Sequence, residues 1–301
     1  GFNYGDGIFE TIRVKNNKCL YQADHIKRLI PNLKIQVHIN KTSVSVKDRG
    51  FNYGDGIFET IRVKNNKCLY QSDHINRLIK GCKVLKISSP SKQLLNSSIK
   101  KSIGKTRECI IKIIYTRGLS DHGYGYDKDI IPQLYIIKKI KALPKCKKAI
   151  SLGYSQYCLS DNDYLSKIKH MNRLEQILGI TFKPKKIFDN YILVDSKNHI
   201  VECISSNIFF YKFNNNKFIF HTPNLKNNGV DGILKQQIIK TLIKKNISVF
   251  ERSIKKNDIA KYHGSFICNS ISGIEFVSQI DKQSLNHIES LEDLLHKYIY
   301  E

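Results

Sequence analysis

The sequence predicts an α+β fold in two domains, preceded by a duplicated N-terminal segment. Strand-like and helix-like runs are mixed along the 301 residues, without the strict alternation typical of a parallel α/β sheet. Residues 141–147, with Pro144 as a breaker, separate two strand-rich halves and are interpreted as a linker. The predicted units are 1–33, a partial duplicate; 34–140, a small domain; and 148–301, a larger domain.

The composition is that of an ordinary globular protein except for its charge. Hydrophobic residues make up 41% and charged residues 25%, and the length is sufficient for two real cores. A net charge of +24 suggests a nucleic-acid partner at first. The lysines are scattered through every segment instead of forming a stripe, and no nucleic-acid motif occurs. A basic nucleic-acid-binding protein is therefore kept as the alternative outside the enzymes. The positive field would also attract an anionic ligand.

The cysteines and the apolar runs predict a reduced, cytoplasmic protein without a metal site or a membrane partner. No C-x-x-C pair and no metal-ligand spacing occurs, and several of the cysteines lie in apolar runs that suggest burial. There is no uninterrupted apolar stretch of membrane length and no signal-peptide pattern. The eight cysteines are Cys19, Cys68, Cys82, Cys109, Cys146, Cys158, Cys203 and Cys268.

An internal copy stands at the N-terminus. Residues 1–30 repeat 50–79 with an offset of 49, and only Ala23 against Ser72 and Lys27 against Asn76 differ. Solenoid repeats diverge and recur at least three times, so a recent duplication or a gene-model error is the better interpretation.

The second copy has the better claim to the native position. A strand–turn–strand pattern over 34–49 leads into it. The first copy lacks this lead-in and is cut off by Pro31. It is expected to stay peripheral or poorly ordered, and a decaying gene product stays a third possibility.

Periodicity predicts the elements of the small domain. Ile75, Leu78, Ile79 and Cys82 recur at helical spacing behind Ser72-Asp73, which begins that helix. A second helix is predicted over 91–101. Strands are predicted over 57–63, 67–71, 109–116 and 134–140, with a turn at residues 65–66.

The larger domain is predicted to combine a meander with three helices. The helices are expected over 171–179, 229–244 and 288–298, the last one amphipathic. The strands are expected over 150–154, 191–195, 200–203, 207–212, 218–221, 266–268 and 274–280.

The most informative segment is residues 167–176, Lys-Ile-Lys-His-Met-Asn-Arg-Leu-Glu-Gln. Lys169 stands just before a predicted helix, and the positive end of a helix dipole disfavours an ammonium group. A lysine held partly neutral is both a nucleophile and a base. Taken alone, Lys169 would be one more exposed lysine in a lysine-rich chain, so its neighbours decide the interpretation.

Lys-His-x-Asn-Arg-Leu-Glu-Gln resembles the active-site segment of the aminodeoxychorismate lyases, within the fold-type IV pyridoxal-phosphate enzymes. The resemblance covers residues 34–301 and implies a two-domain, homodimeric fold-type IV enzyme of the D-amino-acid and branched-chain aminotransferase kind. It implies that pyridoxal 5′-phosphate is bound by Lys169 in the cleft between the domains. The implied reaction converts 4-amino-4-deoxychorismate to 4-aminobenzoate and pyruvate in folate biosynthesis. D-amino-acid and branched-chain aminotransferases share the fold and stay the alternative.

The resemblance also assigns the cofactor contacts. Arg77, in His-Ile-Asn-Arg, would hold the cofactor phosphate with its charged fork. Glu202 would pair with the pyridine nitrogen and keep the ring electron-withdrawing, although from local sequence alone it could be a solvated strand end. Ser206 and Asn207 follow in the same Glu-x-x-x-x-Asn-Ile-Phe segment. Asn269 matches another edge of the cofactor site.

A glycine-bearing turn and two further residues complete the predicted site. Val230 and Asp231 lie at the start of a predicted helix, where free backbone N–H groups bind phosphate. The resemblance favours both as backbone phosphate ligands, with the Asp231 carboxylate pointing away. Tyr53 and Arg117 are the candidates for substrate binding, with a structural role for Arg117 equally open. Asp121-His122 stands where the lyases often have an arginine before Gly-Tyr, which leaves the carboxylate ligand unassigned.

Overall fold

The computed structural model describes residues 35–41, 43–140, 149–184, 187–215 and 217–286, some positions of 288–297, and the backbone of 14–15 and 18–19. The predicted linker, the rest of the first copy and parts of the predicted closing helix lie outside the described residues. Within the described part of the chain, no helix is both long and apolar enough to cross a bilayer.

The first copy contains a short hairpin that the second copy repeats. Strand β1 (Val14–Lys15) pairs antiparallel with β2 (Lys18–Cys19), and residues 63–64 pair with 67–68 in the same register. In both copies the sequence between the two strands is Asn-Asn. In the second copy Asn65 and Asn66 have φ of 52° and 62°, the left-handed conformation that a two-residue hairpin turn requires.

The first half of the chain forms a five-stranded sheet with helices on one face. The spatial order of the strands is β3, β7, β6, β4, β5. Odd-numbered positions of β4, such as Ile57 and Ile61, join Ile111 and Ile113 of β6 and the apolar sides of α2 and α3 in one buried core. In chain order the elements are β3 (Gln36–Ile39), α1 (Arg49–Tyr53), β4 (Gly56–Lys64), β5 (Lys67–Cys68), α2 (Gln71–Val84), α3 (Lys92–Ile103), β6 (Cys109–Thr116) and β7 (Gln133–Lys139).

The strand–turn–strand predicted over 34–49 is only half right. β3 forms, but the chain then turns into the short helix α1 instead of a second strand. The cause lies in Asp48, whose side chain accepts a hydrogen bond from Gly50 N at 2.7 Å and so caps the helix. The other carboxylate oxygen of Asp48 is held by Thr116 Oγ1 at 3.0 Å and Tyr135 Oη at 2.8 Å.

The second half forms a nine-stranded sheet, in the order β10, β9, β8, β15, β14, β11, β12, β13, with β16 beside β15. Alternate residues of its central strands feed two cores: Phe209 and Phe266 pack with α5, while Phe210 and Ile267 pack on the other face. The elements are β8 (Ile150–Leu159), α4 (Leu174–Thr181), β9 (Asn190–Asp195), β10 (Ile200–Cys203), β11 (Asn207–Asn214), β12 (Lys217–Pro223), α5 (Ile233–Lys244), β13 (Ser248–Arg252), a 3₁₀ helix (Lys256–Lys261), β14 (Gly264–Asn269), β15 (Gly273–Ile280) and β16 (Gln283–Ser284).

The architecture is a mixed α+β fold built on two sheets, which confirms the predicted fold class. The short β13 and the 3₁₀ helix were not expected, since both are rich in charged residues and lack a clear periodicity. Of the cysteines that the structure describes, Cys82, Cys109, Cys203 and Cys268 are buried as predicted. Cys158 is exposed and Cys68 is only partly buried.

Candidate active site

A cavity of about 460 Å³ lies where the two sheets meet. The five-stranded side contributes residues of β4 and α2, and the nine-stranded side contributes the lysine segment, the end of β10, the start of α5 and the loop after β14. The lining residues include Phe58, Thr60, Arg77, Lys169, Arg173, Gln176, Glu202, Ser206, Asn207, Val230, Gly232, Asn269 and Ser270. Most of the residues predicted from sequence to hold a cofactor are thus brought together.

Lys169 lies in this cavity, but not at the start of a helix. Phe58 N donates to the Lys169 carbonyl and Met171 N donates to the Gly56 carbonyl, both at 2.9 Å. The lysine segment therefore runs extended beside β4, and α4 begins only at Leu174. The prediction placed the start of this helix too early, at residue 171. The first residues of β4, Gly56 and Phe58, provide the lysine segment with backbone partners and keep it extended.

The pKa of Lys169 is nevertheless lowered. Removal from water disfavours its ammonium form, and the Arg77 guanidinium adds to this effect. The Glu59 carboxylate opposes them only in part, so the pKa falls to about 8. Its Nζ lies 4.6 Å from the centre of the Phe58 ring. The amine is therefore far more available as a nucleophile than that of a surface lysine.

Arg77 is fixed by an acid that the sequence analysis missed. Its Nε and Nη2 donate to the two carboxylate oxygens of Glu59 at 2.7 and 2.6 Å, and its Nη1 donates to the Asp231 carbonyl at 2.8 Å. His74 Nδ1 lies 2.7 Å from Glu59 Oε2. Arg77 therefore connects the two sheets at the wall of the cavity.

Glu59 is a fully buried anion. Burial alone would raise its pKa, but the charge and hydrogen bonds of Arg77, with a further bond from His74, outweigh it and lower the pKa to about 2. The sequence carried a signal for it: Glu59 falls in the inward-facing series Ile57, Ile61, Val63, where an acid requires a partner.

Glu202 stands at the end of β10 with only 4% of its surface exposed. Burial raises its pKa, against the opposing effects of the Val230 amide and the Arg173 and Lys169 charges. Val230 N donates to its Oε2 at 2.8 Å. A buried carboxylate on this wall is suited to hold a proton on a heterocyclic nitrogen, the role that the resemblance implies for Glu202.

The turn before α5 differs from its prediction. Val230 N is bonded to Glu202, and Asp231 N donates to the Lys167 carbonyl at 3.3 Å, so neither amide is the free phosphate ligand expected. The helix begins at Ile233 instead of near 229. Its N-cap residue is Gly232, so no side chain caps the first backbone amides. The first turn, with Gly232 and Ile233 on the cavity wall, therefore presents the helix amides that can take an anion.

Three side chains hold the loops around the cavity. Asn207 Nδ2 donates to the Val230 carbonyl at 2.9 Å, and Asn269 Nδ2 donates to Ser206 Oγ at 2.9 Å. Asn269 Oδ1 accepts from the amides of Ile271 and Ser272, each at 2.8 Å. Ser206, Asn207 and Asn269 line the cavity, and the side chains of Asn207 and Asn269 also bond backbone groups.

The two predicted substrate residues lie elsewhere. Tyr53 is 39% exposed and its ring stands 5.4 Å from that of Tyr124. The Arg117 guanidinium is bonded to Asp55 and to the carbonyls of residues 85 and 86. Neither side chain lines the cavity of this chain, and these contacts describe the structural role that the sequence left open for Arg117.

Arg173 is a second residue without a predicted role. It lies in the lysine segment, lines the cavity, and donates from Nε to the His170 carbonyl at 2.8 Å and from Nη2 to the Ile168 carbonyl at 3.1 Å. Its position four residues after Lys169 was the only available signal. It adds positive charge beside Glu202.

The donor set fits pyridoxal 5′-phosphate. The available groups are an amine of lowered pKa for the aldehyde, a buried acid for the ring nitrogen, and an arginine with an uncapped helix start for the phosphate. A Cβ on Gly232 would lie 2.0 Å from Asn207 Oδ1, so the turn leaves no room for a side chain at that position. Fold and site together define a pyridoxal-phosphate enzyme.

The chain belongs to the class IV amino-transferase family, whose model matches residues 56–280. It is 26% identical over 282 residues to the aminodeoxychorismate lyase of Vibrio harveyi, covering 93% of this chain and 84% of that protein. It is also 27% identical over 293 residues to a putative branched-chain-amino-acid aminotransferase of Methanocaldococcus jannaschii, covering 95% and 83%.

The fold is similar to that of 4-amino-4-deoxychorismate lyase from Pseudomonas aeruginosa. The TM-score is 0.76 at 25% identity, over 85% of this chain and 96% of that one. The comparisons confirm the fold, the enzyme family and the cofactor, pyridoxal 5′-phosphate, that the lysine segment predicted.

Proposed function

We propose that this protein converts 4-amino-4-deoxychorismate to 4-aminobenzoate and pyruvate, as a cytoplasmic enzyme of folate biosynthesis. The observation that carries the proposal is the similarity to the Vibrio harveyi lyase over 93% of this chain, with the Lys169 cavity inside the matched region. The residues of the cavity would each have a role in that reaction.

Four groups would hold the cofactor. Lys169 Nζ would bind its aldehyde, Glu202 would keep a proton on the ring nitrogen, and Arg77 with the first turn of α5 would bind the phosphate. When bound, pyridoxal 5′-phosphate withdraws electrons from the substrate carbon that carries the amine. Lys169 would also serve as the base that removes the ring proton next to that amine, and a pKa of about 8 suits this base at neutral pH.

The substrate carries two carboxylates, and Arg62 is suited to bind one of them. Phe58, Thr60 and Arg62 alternate on the face of β4 that turns to the nine-stranded side, and the first two line the cavity. Arg62 Nη1 reaches the Ile271 carbonyl at 3.3 Å. Its Nε is buried and, among the described residues, has no hydrogen-bond partner. An arginine with unused donors beside the cavity favours an anionic substrate.

Lys112 is the second candidate for a carboxylate ligand. It pairs with Thr60 across β4 and β6 and so lies on the same face of the sheet as Arg62. Its Nζ stands 5.6 Å from the centre of the Phe58 ring, which also lies beside Lys169. Burial, with the Lys139 charge, lowers the pKa of Lys112. A bound anion would favour the charged ammonium form and so counteract this lowering.

The proposal includes a homodimer. Helix α4 supports it, because Leu174, Ile177 and Ile180 recur along one side of the helix and are 57%, 57% and 48% exposed. Phe182, just beyond the helix, is 51% exposed. An apolar stripe of this kind is typical of a surface that another subunit covers. Sedimentation of the holoenzyme tests it, and an active monomer would contradict it.

A product assay with the holoenzyme tests the reaction. Incubation with 4-amino-4-deoxychorismate should release 4-aminobenzoate and pyruvate in equal amounts, and Lys169→Ala should release neither. The alternative, favoured by the likeness to the Methanocaldococcus protein, is a transaminase of D-alanine or branched-chain amino acids. Conversion of the cofactor to its amine form by those amino acids, without 4-aminobenzoate release from the aminated chorismate, would decide for the alternative.

A further inference from the structure

We propose that Lys235 is a positioning residue, which neutralises Asp231 so that an aspartate can stand at the turn that binds the cofactor phosphate. The inference rests on the proposed function only in one respect, the placement of the phosphate beside Arg77 and the first turn of α5. Asp231 is an acid beside a turn that would bind an anion, and its charge therefore needs a partner.

Lys235 is a buried cation between two acids. It lies in the first turn of α5 and is 1% exposed. Its Nζ stands 2.6 Å from Glu251 Oε2 and 3.6 Å from Asp231 Oδ1. A buried ammonium is tolerated only with such partners. Glu251 lies toward solvent, with 45% of its side chain exposed, whereas Asp231 lies toward the cavity turn.

The main chain of Asp231 is held at the cavity while its carboxylate is turned away. Its neighbours Val230 and Gly232 line the cavity, and its own carbonyl accepts a hydrogen bond from Arg77 Nη1 at 2.8 Å. The carboxylate Oδ1 accepts from Gln236 Nε2 at 2.7 Å. The side chain therefore bends back over the first turn of α5, toward Lys235 and Gln236.

The charges explain why this arrangement is needed. Asp231, whose carbonyl accepts a hydrogen bond from Arg77, places a negative charge beside the turn that would bind a phosphate dianion. At an effective dielectric constant of about 20, such a repulsion weakens binding by roughly tenfold or more unless a cation offsets it. Arg77 offsets this repulsion only in part, because the Glu59 carboxylate lies against the same guanidinium. Lys235 is the additional cation beside the Asp231 carboxylate.

Equilibrium titration of the full-length apo protein with pyridoxal 5′-phosphate and with pyridoxal, which lacks the phosphate, separates charge from packing. Lys235→Met should weaken binding of the phosphate form by about tenfold or more and binding of pyridoxal by much less. Asp231→Asn in the Lys235→Met background should restore most of the lost affinity. The matched control is Glu251→Gln, on the exposed side of Lys235. This variant should keep the affinity for pyridoxal 5′-phosphate near the wild-type value.

Two results would overturn the inference. One is a double variant that binds the phosphate form as weakly as Lys235→Met alone, and the other is an equal loss for both ligands. If Lys235→Met does not fold, Asp231→Asn alone provides the test. With Lys235 kept, this variant should bind the phosphate form more tightly relative to pyridoxal. A selective weakening of binding to the phosphate form would refute the proposal. The titration needs no lyase substrate, so it fails or succeeds independently of the product assay.

Discussion

At the scale of single residues, the protonation of Lys169 governs whether the cofactor can be bound. Only the neutral amine attacks an aldehyde, and the folded protein lowers the pKa of this lysine from 10.5 to about 8. We therefore expect cofactor uptake by the apo protein to rise with pH around a midpoint of about 8. Stopped-flow absorbance measures it. Lys167→Met, which changes an exposed neighbour, should keep the midpoint, and a midpoint above 10 would contradict the prediction.

The same shift has a consequence for stability, with a defined sign. Between pH 8 and 10.5 the unfolded chain carries a proton on this lysine that the folded chain has lost. The free energy of unfolding of the apo protein should therefore rise with pH through this window, by comparison with Lys169→Met. Urea unfolding at several pH values measures the difference. Parallel curves for the two proteins would show that the pKa is not lowered.

Glu202 is expected to act on the cofactor and not on the fold. Glu202→Gln keeps the size of the side chain and an acceptor for Val230 N, so the cofactor should stay bound. The neutral amide cannot hold a proton on the ring nitrogen, and turnover should fall by about a hundredfold or more. Absorbance of the bound cofactor and the product assay measure the two effects. Unchanged turnover would mean that another acid serves the ring.

Lys112 provides the test of the substrate charge. Lys112→Met should raise the KM for the aminated chorismate by about tenfold, the usual scale for one charge-assisted hydrogen bond, and leave kcat nearly unchanged. Lys138→Met is the matched control, because Lys138 pairs with Ile111 and so lies on the opposite face of the sheet. Equal effects of the two substitutions would remove Lys112 from the substrate site.

Residues that act through distant partners were the ones that sequence reasoning missed. Glu59 is bonded to His74 and Arg77 on another element, and Arg62 reaches a loop 209 positions away. Spacing along the chain cannot reveal such pairs. Lys169 shows the converse: its lowered pKa was expected, but burial and Arg77 cause it, not a helix dipole.

At the scale of elements, the turn before α5 depends on the absence of a side chain at Gly232. A Cβ there would lie 2.0 Å from Asn207 Oδ1, so Asn207 would have to swing away and give up its bond to the Val230 carbonyl. Gly232→Ala should weaken cofactor affinity by about tenfold or more, since the phosphate turn loses its support. The loss of global stability should be smaller.

Cofactor titration and thermal unfolding measure these two effects. Gly125→Ala is the control, because its added Cβ would meet only the His122 carbonyl at 3.5 Å, an ordinary contact. A large drop in stability with unchanged cofactor affinity in Gly232→Ala would show that the turn serves the fold and not the cofactor.

Long periodic elements were predictable, and segments that borrow partners from elsewhere were not. The alternating runs of β6 and β7 and the helical spacing of α2 and α3 are encoded locally, so their limits fall within a few residues of the prediction. The predicted helix starts near 171 and 229 are wrong because both segments take backbone hydrogen bonds outside their own neighbourhood, with Gly56 and Glu202 respectively.

At the scale of the whole molecule, two copies of one sequence compete for a single place. In the second copy, α2 runs unbroken from Gln71 to Val84 and places Arg77 between Glu59 and Asp231. In the first copy the equivalent of Lys80, at an offset of 49, is Pro31. A proline in the interior of this helix would remove a backbone hydrogen bond and clash with the preceding turn. The sequence therefore predicts that the first copy does not form a helix as long as α2.

We accordingly expect that the second copy alone holds the cofactor. Arg77→Ala should weaken cofactor binding by ~1.5–3 kcal/mol, the usual scale for a charged hydrogen-bonded contact. Arg28→Ala, the same change in the other copy, should have no effect, and deletion of residues 1–33 should leave activity intact. Cofactor titration of the three variants measures this directly. If Arg28→Ala were the damaging substitution, the first copy would occupy the site in place of the second, since only one of the two arginines can be bonded to Glu59 and Asp231 in a given chain.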